Sequence, residues 1–345
     1  MKKKLFSILK VIVFLSIGVL LIWLSIRGLS SSQRSDIIES FASANYFWVT
    51  LAVICGLLSH LVRANRWRRL LKPMGYNPGL KNIFLATMIG YLANYAIPRL
   101  GEVSRCGILT RTDKIPMNKS LGTVVTERAF DLFIFIIIFI VTIFIEHKHL
   151  SAYLNDNIYP KLSDKFAVFS DGILWYVLLV AGAVLIGLYF VFRTKLRTFK
   201  LVAKIEELFK GFFHGLKSLF KIEKPLLFLL ETLAIWVFYL LMPYLCFFSL
   251  SETSHLSINA GLSALVIGSI GIMITPGGIG IFPILIQETL KLYAIAKITG
   301  LALGWIIWTT QTVMILLVGG MDLIIVSFNK TMVPNLTSDE KIANN

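Results

Sequence analysis

The sequence is short of charged residues. Only 15% of its 345 residues are Asp, Glu, Lys or Arg, whereas a soluble domain carries about 25%. Hydrophobic residues make up 56% of the chain, and so many apolar side chains must face something other than water. Several apolar runs supply the ~20 residues that cross the ~30 Å hydrocarbon core of a bilayer. We therefore exclude an ordinary soluble domain and expect a polytopic membrane protein.

Cysteines and acidic residues are also scarce. Cys55, Cys106 and Cys246 lie in or beside apolar segments, without the spacing of metal ligands or of a disulfide framework. The chain has 19 Asp and Glu against 34 Lys and Arg, for a net charge of +15. In a membrane protein this excess is typical of cytoplasmic loops, and no basic and aromatic pattern resembles a nucleic-acid-binding module. We expect no metal, no cofactor and no nucleic-acid partner.

Catalytic motifs are lacking too. The sequence contains no H-E-x-x-H, no G-x-S-x-G and no P-loop. Its histidines are scattered, and no span carries paired aspartates that could hold a metal on a diphosphate substrate. We therefore expect a protein that is not an enzyme. The five histidines are His60, His147, His149, His214 and His255.

The apolar runs predict an all-α membrane fold with about six full spans and two re-entrant hairpins of broken helix. The hairpins correspond to two apolar regions, residues 83–110 and 258–297, that are interrupted in the middle. One hairpin in each half of the chain, entering from opposite faces, matches the pattern of inverted-repeat transporters. The full spans are predicted near residues 5–26, 46–65, 121–145, 173–192, 226–248 and 299–326.

Lysine and arginine placement predicts the orientation. The arginine-rich loop predicted over residues 63–73 and the basic segment 192–225 both fall on the cytoplasmic side if each interrupted region is a hairpin, whereas treating each as a single crossing would put the basic segment outside. Within the basic segment, residues 198–221 form either an amphipathic helix on anionic lipid or a plain connector. We expect one transmembrane domain over residues 1–330, a disordered cytoplasmic tail over 331–345, and both termini in the cytoplasm.

The first interruption, NYAIPRLGEVSR (94–105), combines three charges with two helix breakers, Pro98 and Gly101. Backbone groups freed by a break must be paired where water is absent. A charged side chain near mid-bilayer costs ~2.5 kcal/mol or more. These costs predict a polar pocket that reaches into the membrane.

The charged residues of this stretch suit a phosphate. Arginine is always protonated and its fork matches phosphate oxygens, and helix N-termini beside a break add free amides. We expect Arg99 and Arg105, with Asn94, to bind a lipid phosphate while Glu102 balances charge. The alternative is that Glu102 pairs with an arginine only to hold the hairpin together.

A second charged group, TERAFD (126–131), opens the next span. Glu127 and Asp131 are one helical turn apart, and Arg128 can reach Asp131. We expect these acids to neutralise Arg99 or Arg105 across the bundle and to form a wall of the pocket. A less favoured alternative is that one carboxyl carries a proton.

The second interruption, ITPGGIGIFP (274–283), carries no charge. It therefore offers backbone groups rather than side chains. We predict that it acts as a gate opposite the charged break, although a tight turn between packed helices would have the same sequence. The residues of the predicted gate are Thr275, Pro276, Gly277, Gly278 and Gly280, together with Pro98 and Gly101 of the first break.

Three motifs together resemble one family. PRLGEVSR (98–105), TERAFD (126–131) and TPGGIG (275–280), in this order and among these spans, are similar to the lysylphosphatidylglycerol synthase transmembrane-region family, also called flippase-like or UPF0104 proteins. The resemblance covers nearly the whole chain. The run RANRWRRLL (63–71) also resembles the basic element after the second span of that family.

The resemblance implies a function. In two-domain members the membrane region is associated with moving aminoacylated phosphatidylglycerol between leaflets, and a soluble domain makes that lipid; we expect no such synthase domain here. Many members carry an acid just after the glycine-rich break, where this chain has Ile281, Phe282 and Pro283 and the nearest acid is Glu288. This departure weakens the case for a cationic aminoacyl headgroup.

We therefore expect an inner-membrane lipid translocase. Its cargo would be an anionic phospholipid or a polyprenyl-linked phosphate, moved through a polar intramembrane cavity. The alternative is a non-transporting partner of a lipid-modifying enzyme or a glycosyltransferase. An enzyme acting on lipid is the third and least favoured possibility.

Overall fold

The computed structural model describes residues 30–97, 99–147 and 224–328, together with the isolated positions 23, 27 and 180. These residues form helices and the segments that connect them, and no strand occurs among them. Short 3-10 turns cover Lys72–Met74, Ser251–Thr253 and Pro276–Gly278. The helices are α1 (Ser31–Ser43), α2 (Tyr46–Leu71), α3 (Leu80–Ala96), α4 (Leu100–Asp113), α5 (Met117–Ile145), α6 (Pro225–Phe247), α7 (Ile258–Ile274), α8 (Ile281–Lys291) and α9 (Lys297–Phe328).

Four helical segments of the described ranges are long and apolar enough to cross a membrane. They are Tyr46–Met74, Met117–Ile145, Pro225–Phe247 and Lys297–Val326. Each matches one of the six predicted spans. The other two predicted spans, the proposed amphipathic segment and the C-terminal tail lie outside the continuous described ranges.

The predicted arginine-rich loop over residues 63–73 was wrong. Helix α2 continues as far as Leu71 before the chain turns at Lys72–Met74. The helix can continue because Arg63 and Arg66 are buried and bonded inside the bundle. Arginines that the sequence places at the water-exposed end of a span are thus packed inside the helix bundle.

The first interruption is a tight helical hairpin. Asn82 and Asp113 are bonded at its open end, and Gly90 faces Gly101 near its tip, so α3 and α4 run antiparallel. A Cβ on Gly101 would collide with the carbonyl oxygen of Gly90. The Gly101 amide donates to Asn94 Oδ1 at 2.7 Å, which satisfies a backbone group at the start of α4.

The second interruption is also a hairpin. The Ser263 and Tyr293 hydroxyls lie 3.0 Å apart at its open end. Near the tip, a Cβ on Gly268 would lie 2.6 Å from the Phe282 ring, so the absent side chain lets α7 and α8 approach. Gly277 (φ 62°) adopts a left-handed backbone in the turn between the arms, as do Gly278 (φ 72°) and Gly280 (φ 75°).

The chain divides into two compact units, Met1–Glu127 with Lys221–Asn345, and Arg128–Phe220. In the first unit, α6 packs on α2, α9 packs on α3 and α8, and α7 packs on α6 and α8. In the second unit, the described part continues α5, with the rings of Phe135 and Phe139 6.4 Å apart. The single domain expected from sequence stays a prediction.

Candidate functional site

Three arginines converge on one glutamate inside the first unit. Glu127 Oε1 lies 3.1 Å from Arg63 Nη1 and 3.5 Å from Arg66 Nη2, and Glu127 Oε2 lies 3.0 Å from Arg105 Nη2. Their exposed fractions are 3% for Arg63, 0% for Arg66, 4% for Arg105 and 0% for Glu127. We call these four residues the arginine cluster. Charges buried this deeply persist only when they are paired and hydrogen-bonded.

The helices bring the cluster together. Arg63 and Arg66 lie three residues apart on one face of α2, Arg105 comes from α4, and Glu127 is in the first part of α5. The Arg66 Nη1 also donates to Thr232 Oγ1 of α6 at 3.1 Å. Four helices therefore meet at this point.

Aromatic rings orient the guanidinium groups. The Arg105 guanidinium carbon lies 4.5 Å from the Trp67 ring centroid, and the Trp67 indole N–H donates to Thr123 Oγ1 at 2.9 Å. The corresponding distances are 5.7 Å from Arg63 to Tyr239 and 5.6 Å from Arg66 to Phe228. Stacking on a ring holds a planar cation at little desolvation cost.

Arg105 retains hydrogen-bonding capacity. Its contact with Glu127 is an ion pair without hydrogen-bond geometry, and its Nε has no hydrogen-bond partner among the residues that the structure describes. A buried guanidinium donor without an acceptor costs about 1–3 kcal/mol. The arrangement would therefore be stabilised by an additional acceptor oxygen beside Arg105.

A second ion pair lies one turn further along α2. Arg69 Nε donates to Glu231 Oε2 at 2.7 Å, and Asn65 Nδ2 donates to Glu231 Oε1 at 2.5 Å. The Arg69 side chain is only 17% exposed. The loop predicted over residues 63–73 would place Arg69 in water, whereas Glu231 of the apolar helix α6 pairs with it inside the bundle.

The residues predicted from sequence are only partly brought together. Arg105 and Glu127 are in contact, so the expected neutralisation of Arg105 by Glu127 is confirmed. Arg99 lies exposed at the hairpin tip, with a left-handed backbone (φ 67°) just before α4. Glu102 is half-buried on α4. Asn94 bonds the Gly101 amide, which is a structural role.

Three predicted residues need separate mention. Arg128 is exposed and Asp131 is buried on the part of α5 that belongs to the second unit. Pro98 lies outside the described residues. The role predicted for these three residues stays a prediction.

Arg63, Arg66 and Glu231 were missed as site residues. The signal was present in the sequence, because arginines at positions 63, 66 and 69 recur at helical spacing directly after an apolar run. A single acid within the apolar run 225–247 was a further sign, since such a residue needs a partner.

The two breaks touch each other, at what we call the tip contact. A Cβ on Gly277 would collide with the ring of Tyr95, which is in the last turn of α3. The Trp308 indole N–H of α9 donates to the Gly277 carbonyl at 2.8 Å, and the Tyr95 and Thr312 hydroxyl oxygens are 3.3 Å apart. The charged hairpin and the glycine break therefore meet inside the bundle.

The described ranges contain no group of three or more His, Cys, Asp or Glu residues that could hold a metal ion. The site is instead made of guanidinium groups, aromatic rings and backbone.

The chain is similar to known membrane proteins. UPF0104 membrane protein MJ1595 of Methanocaldococcus jannaschii is 32% identical over 114 residues, which cover 32% of this chain and 34% of that protein. The chain thus matches about a third of the length of this relative. No solved structure matches the chain. The family described as "Lysylphosphatidylglycerol synthase TM region" matches residues 7–319, and this membrane protein belongs to that family.

Proposed function

We propose that the protein is a lipid translocase of the inner membrane, which moves a phospholipid or another lipid-linked phosphate between leaflets. The observation that carries the proposal is Arg105, a buried guanidinium whose Nε has no hydrogen-bond partner in the described part of the chain. In a membrane protein, a buried ionisable residue marks a functional site by default.

A lipid phosphate fits the chemistry beside Arg105. Phosphate oxygens accept charge-assisted hydrogen bonds from guanidinium groups, and the geometry is matched because both partners are rigid. Glu127 limits the positive charge of the cluster, so a singly charged phosphodiester would bind without being trapped. Arg99 and Glu102 would contact the headgroup nearer the hairpin tip, and Asp131 and Arg128 remain predicted members of the polar wall.

The short helices support re-entrant hairpins. At 1.5 Å per residue, the 14 residues of α4 extend only ~21 Å and the 11 residues of α8 only ~16 Å. Neither length crosses the ~30 Å hydrocarbon core. We propose that each hairpin enters and leaves on one face, that their tips meet inside the membrane, and that both termini are cytoplasmic.

Single-cysteine labelling in a cysteine-free background tests this orientation. We expect labelling from the cytoplasmic side at positions 68 and 204, and from the outer side at positions 148 and 161. Labelling of position 204 from the outer side would contradict the hairpin formed by α3 and α4.

The function itself is tested in two steps. Native mass spectrometry of the gently extracted protein should show a co-purified lipid that carries a phosphate. The protein in vesicles of phosphatidylcholine and phosphatidylglycerol should then expose a fluorescent phosphatidylglycerol of the inner leaflet to a membrane-impermeant quencher. Bound lipid without movement would favour the non-transporting partner instead.

A further inference from the structure

His60 is buried at the centre of the candidate span Tyr46–Met74. Its exposed fraction is 3%, and neither ring nitrogen has a hydrogen-bond partner among the described residues. A neutral imidazole carries one N–H donor and one acceptor nitrogen. A buried polar side chain with both positions unused is rare in folded proteins, so His60 calls for a partner beyond the described residues.

The surroundings of His60 form an aromatic slot. The Tyr91 ring of α3 lies 4.6 Å away between centroids, tilted by 41°, and the Tyr239 ring of α6 lies 6.4 Å away at 67°. Arg63 lies one turn further along α2. Its guanidinium carbon is 5.7 Å from the centroid of the Tyr239 ring, so Arg63 and His60 contact the same tyrosine. The rings fix the plane of the imidazole, so its nitrogens point in defined directions.

His60 also lies between the two polar regions already described. On α2 it is one turn from Arg63 of the arginine cluster. On α3, Tyr91 is one turn from Tyr95 of the tip contact. Polar side chains thus follow one another from Arg63 through His60 and Tyr91 to Tyr95, which contacts Gly277.

We propose that His60 binds a phosphate oxygen of the lipid headgroup, halfway between the arginine cluster and the tip contact. This inference rests on the proposed function and adds a second binding position to it. The imidazole N–H donates to the oxygen, while Arg63 attracts the negative charge from the neighbouring turn. A headgroup that leaves the arginine cluster would then find a hydrogen-bond donor before it reaches the glycine break.

The binding step is tested without any transport. Protein labelled with ¹⁵N-histidine is placed in phosphatidylcholine nanodiscs, and the signals are compared after addition of phosphatidylglycerol or of inorganic phosphate. His60→Phe identifies the His60 signal, and His147→Phe, which changes an exposed histidine, is the matched control. We expect the His60 signal to shift with phosphatidylglycerol. A shift with inorganic phosphate alone would assign the site to the free ion, and no shift with either would overturn the proposal.

The transport step uses two variants with the vesicle assay. His60→Phe keeps a planar ring but removes both nitrogens, and we expect movement of fluorescent phosphatidylglycerol to slow about tenfold, the effect of one lost buried hydrogen bond. His60→Gln restores a donor and should recover most of the rate. Wild-type movement by a stably folded His60→Phe protein would overturn the inference.

The two proposals can fail separately. If the wild-type protein moves no lipid yet the His60 signal shifts with phosphatidylglycerol, translocation is refuted and the binding site stands. If the protein moves lipid and the His60 signal does not respond, translocation stands and the His60 site is refuted.

Discussion

Both hairpins leave a backbone group at the break that needs a hydrogen-bond partner, and they satisfy it with different side chains. At the first tip, the Gly101 amide is satisfied by the Asn94 side chain, and at the second, the Gly277 carbonyl is satisfied by Trp308. The first hairpin carries Arg105 on its second arm, whereas the second break carries no charge. The first hairpin therefore offers a buried positive charge, whereas the break of the second offers only backbone groups.

The close approach within each hairpin also differs in kind. In the first, two backbones meet at Gly90 and Gly101 and leave no room for a methyl group. In the second, glycines accommodate the rings of Tyr95 and Phe282 and adopt a left-handed backbone. Backbone cannot move aside easily, but a ring can rotate. We infer that the first hairpin is rigid and that the second can rearrange.

The largest effect is expected from removing Glu127, the acid of α5 that pairs with Arg105 of the first hairpin. Glu127→Ala should destabilise the protein by about 3–5 kcal/mol, because buried guanidinium groups would lose their counterion. Thermal unfolding in detergent measures the loss. Glu252→Ala, at an exposed acid, is the control and should be near neutral. Wild-type stability in Glu127→Ala would show that the cluster is held by its rings alone.

The next effect tests the rigidity of the first hairpin. Gly101→Ala should cost up to about 3 kcal/mol, because the added methyl group would overlap the Gly90 carbonyl and the Asn94 side chain. Gly107→Ala lies on the same helix with open space at its Cβ and should gain up to ~1 kcal/mol from helix propensity. Equal unfolding temperatures for the two variants would contradict the packing described for α3 and α4.

We expect the two arginines of the first hairpin, Arg99 and Arg105, to differ in their contribution to anion binding. Arg105→Lys keeps the charge but loses the fork, and we expect retention of phosphatidylglycerol to fall about tenfold. Arg99→Ala should have a smaller effect, because this residue is exposed and water screens its charge. Native mass spectrometry at fixed lipid concentration measures retention, with Arg111→Ala as an exposed control on the same helix. Equal retention by Arg105→Lys and wild type would leave Arg105 a structural residue.

The smallest stability effect is expected at the second hairpin. In Gly278→Ala the new Cβ would lie 3.1 Å from Phe282 Cβ and 3.3 Å from Ile272 Cγ1, at a φ of 72°. Such strain should cost about 1–2 kcal/mol, since only glycine accepts a left-handed backbone freely. If the break is a gate, movement of phosphatidylglycerol should slow severalfold per folded molecule while lipid retention stays normal. Normal movement by a destabilised variant would identify a turn without a gating role.

Local sequence patterns predicted much of the fold. Four of the six predicted spans correspond to helices of spanning length, and both interruptions are breaks between packed helices. These features depend on residues close together in the chain, namely apolar runs and the Pro and Gly that end them. Helix ends were less accurate, as the extension of α2 to Leu71 shows. A boundary depends on partners from other helices, which no local pattern contains.

The sequence by itself determined that this is a helical membrane protein, that two apolar regions are broken, and to which family the three motifs point. Only the tertiary structure decided which charges meet. It placed Arg63 and Arg66 of α2 beside Arg105 and Glu127, left Arg99 outside that cluster, and brought Tyr95 against Gly277. The physical reason is that apolar periodicity fixes a helix and its length, whereas a buried charge is stable only opposite a partner. That partner comes from a distant part of the chain, so packing selects it.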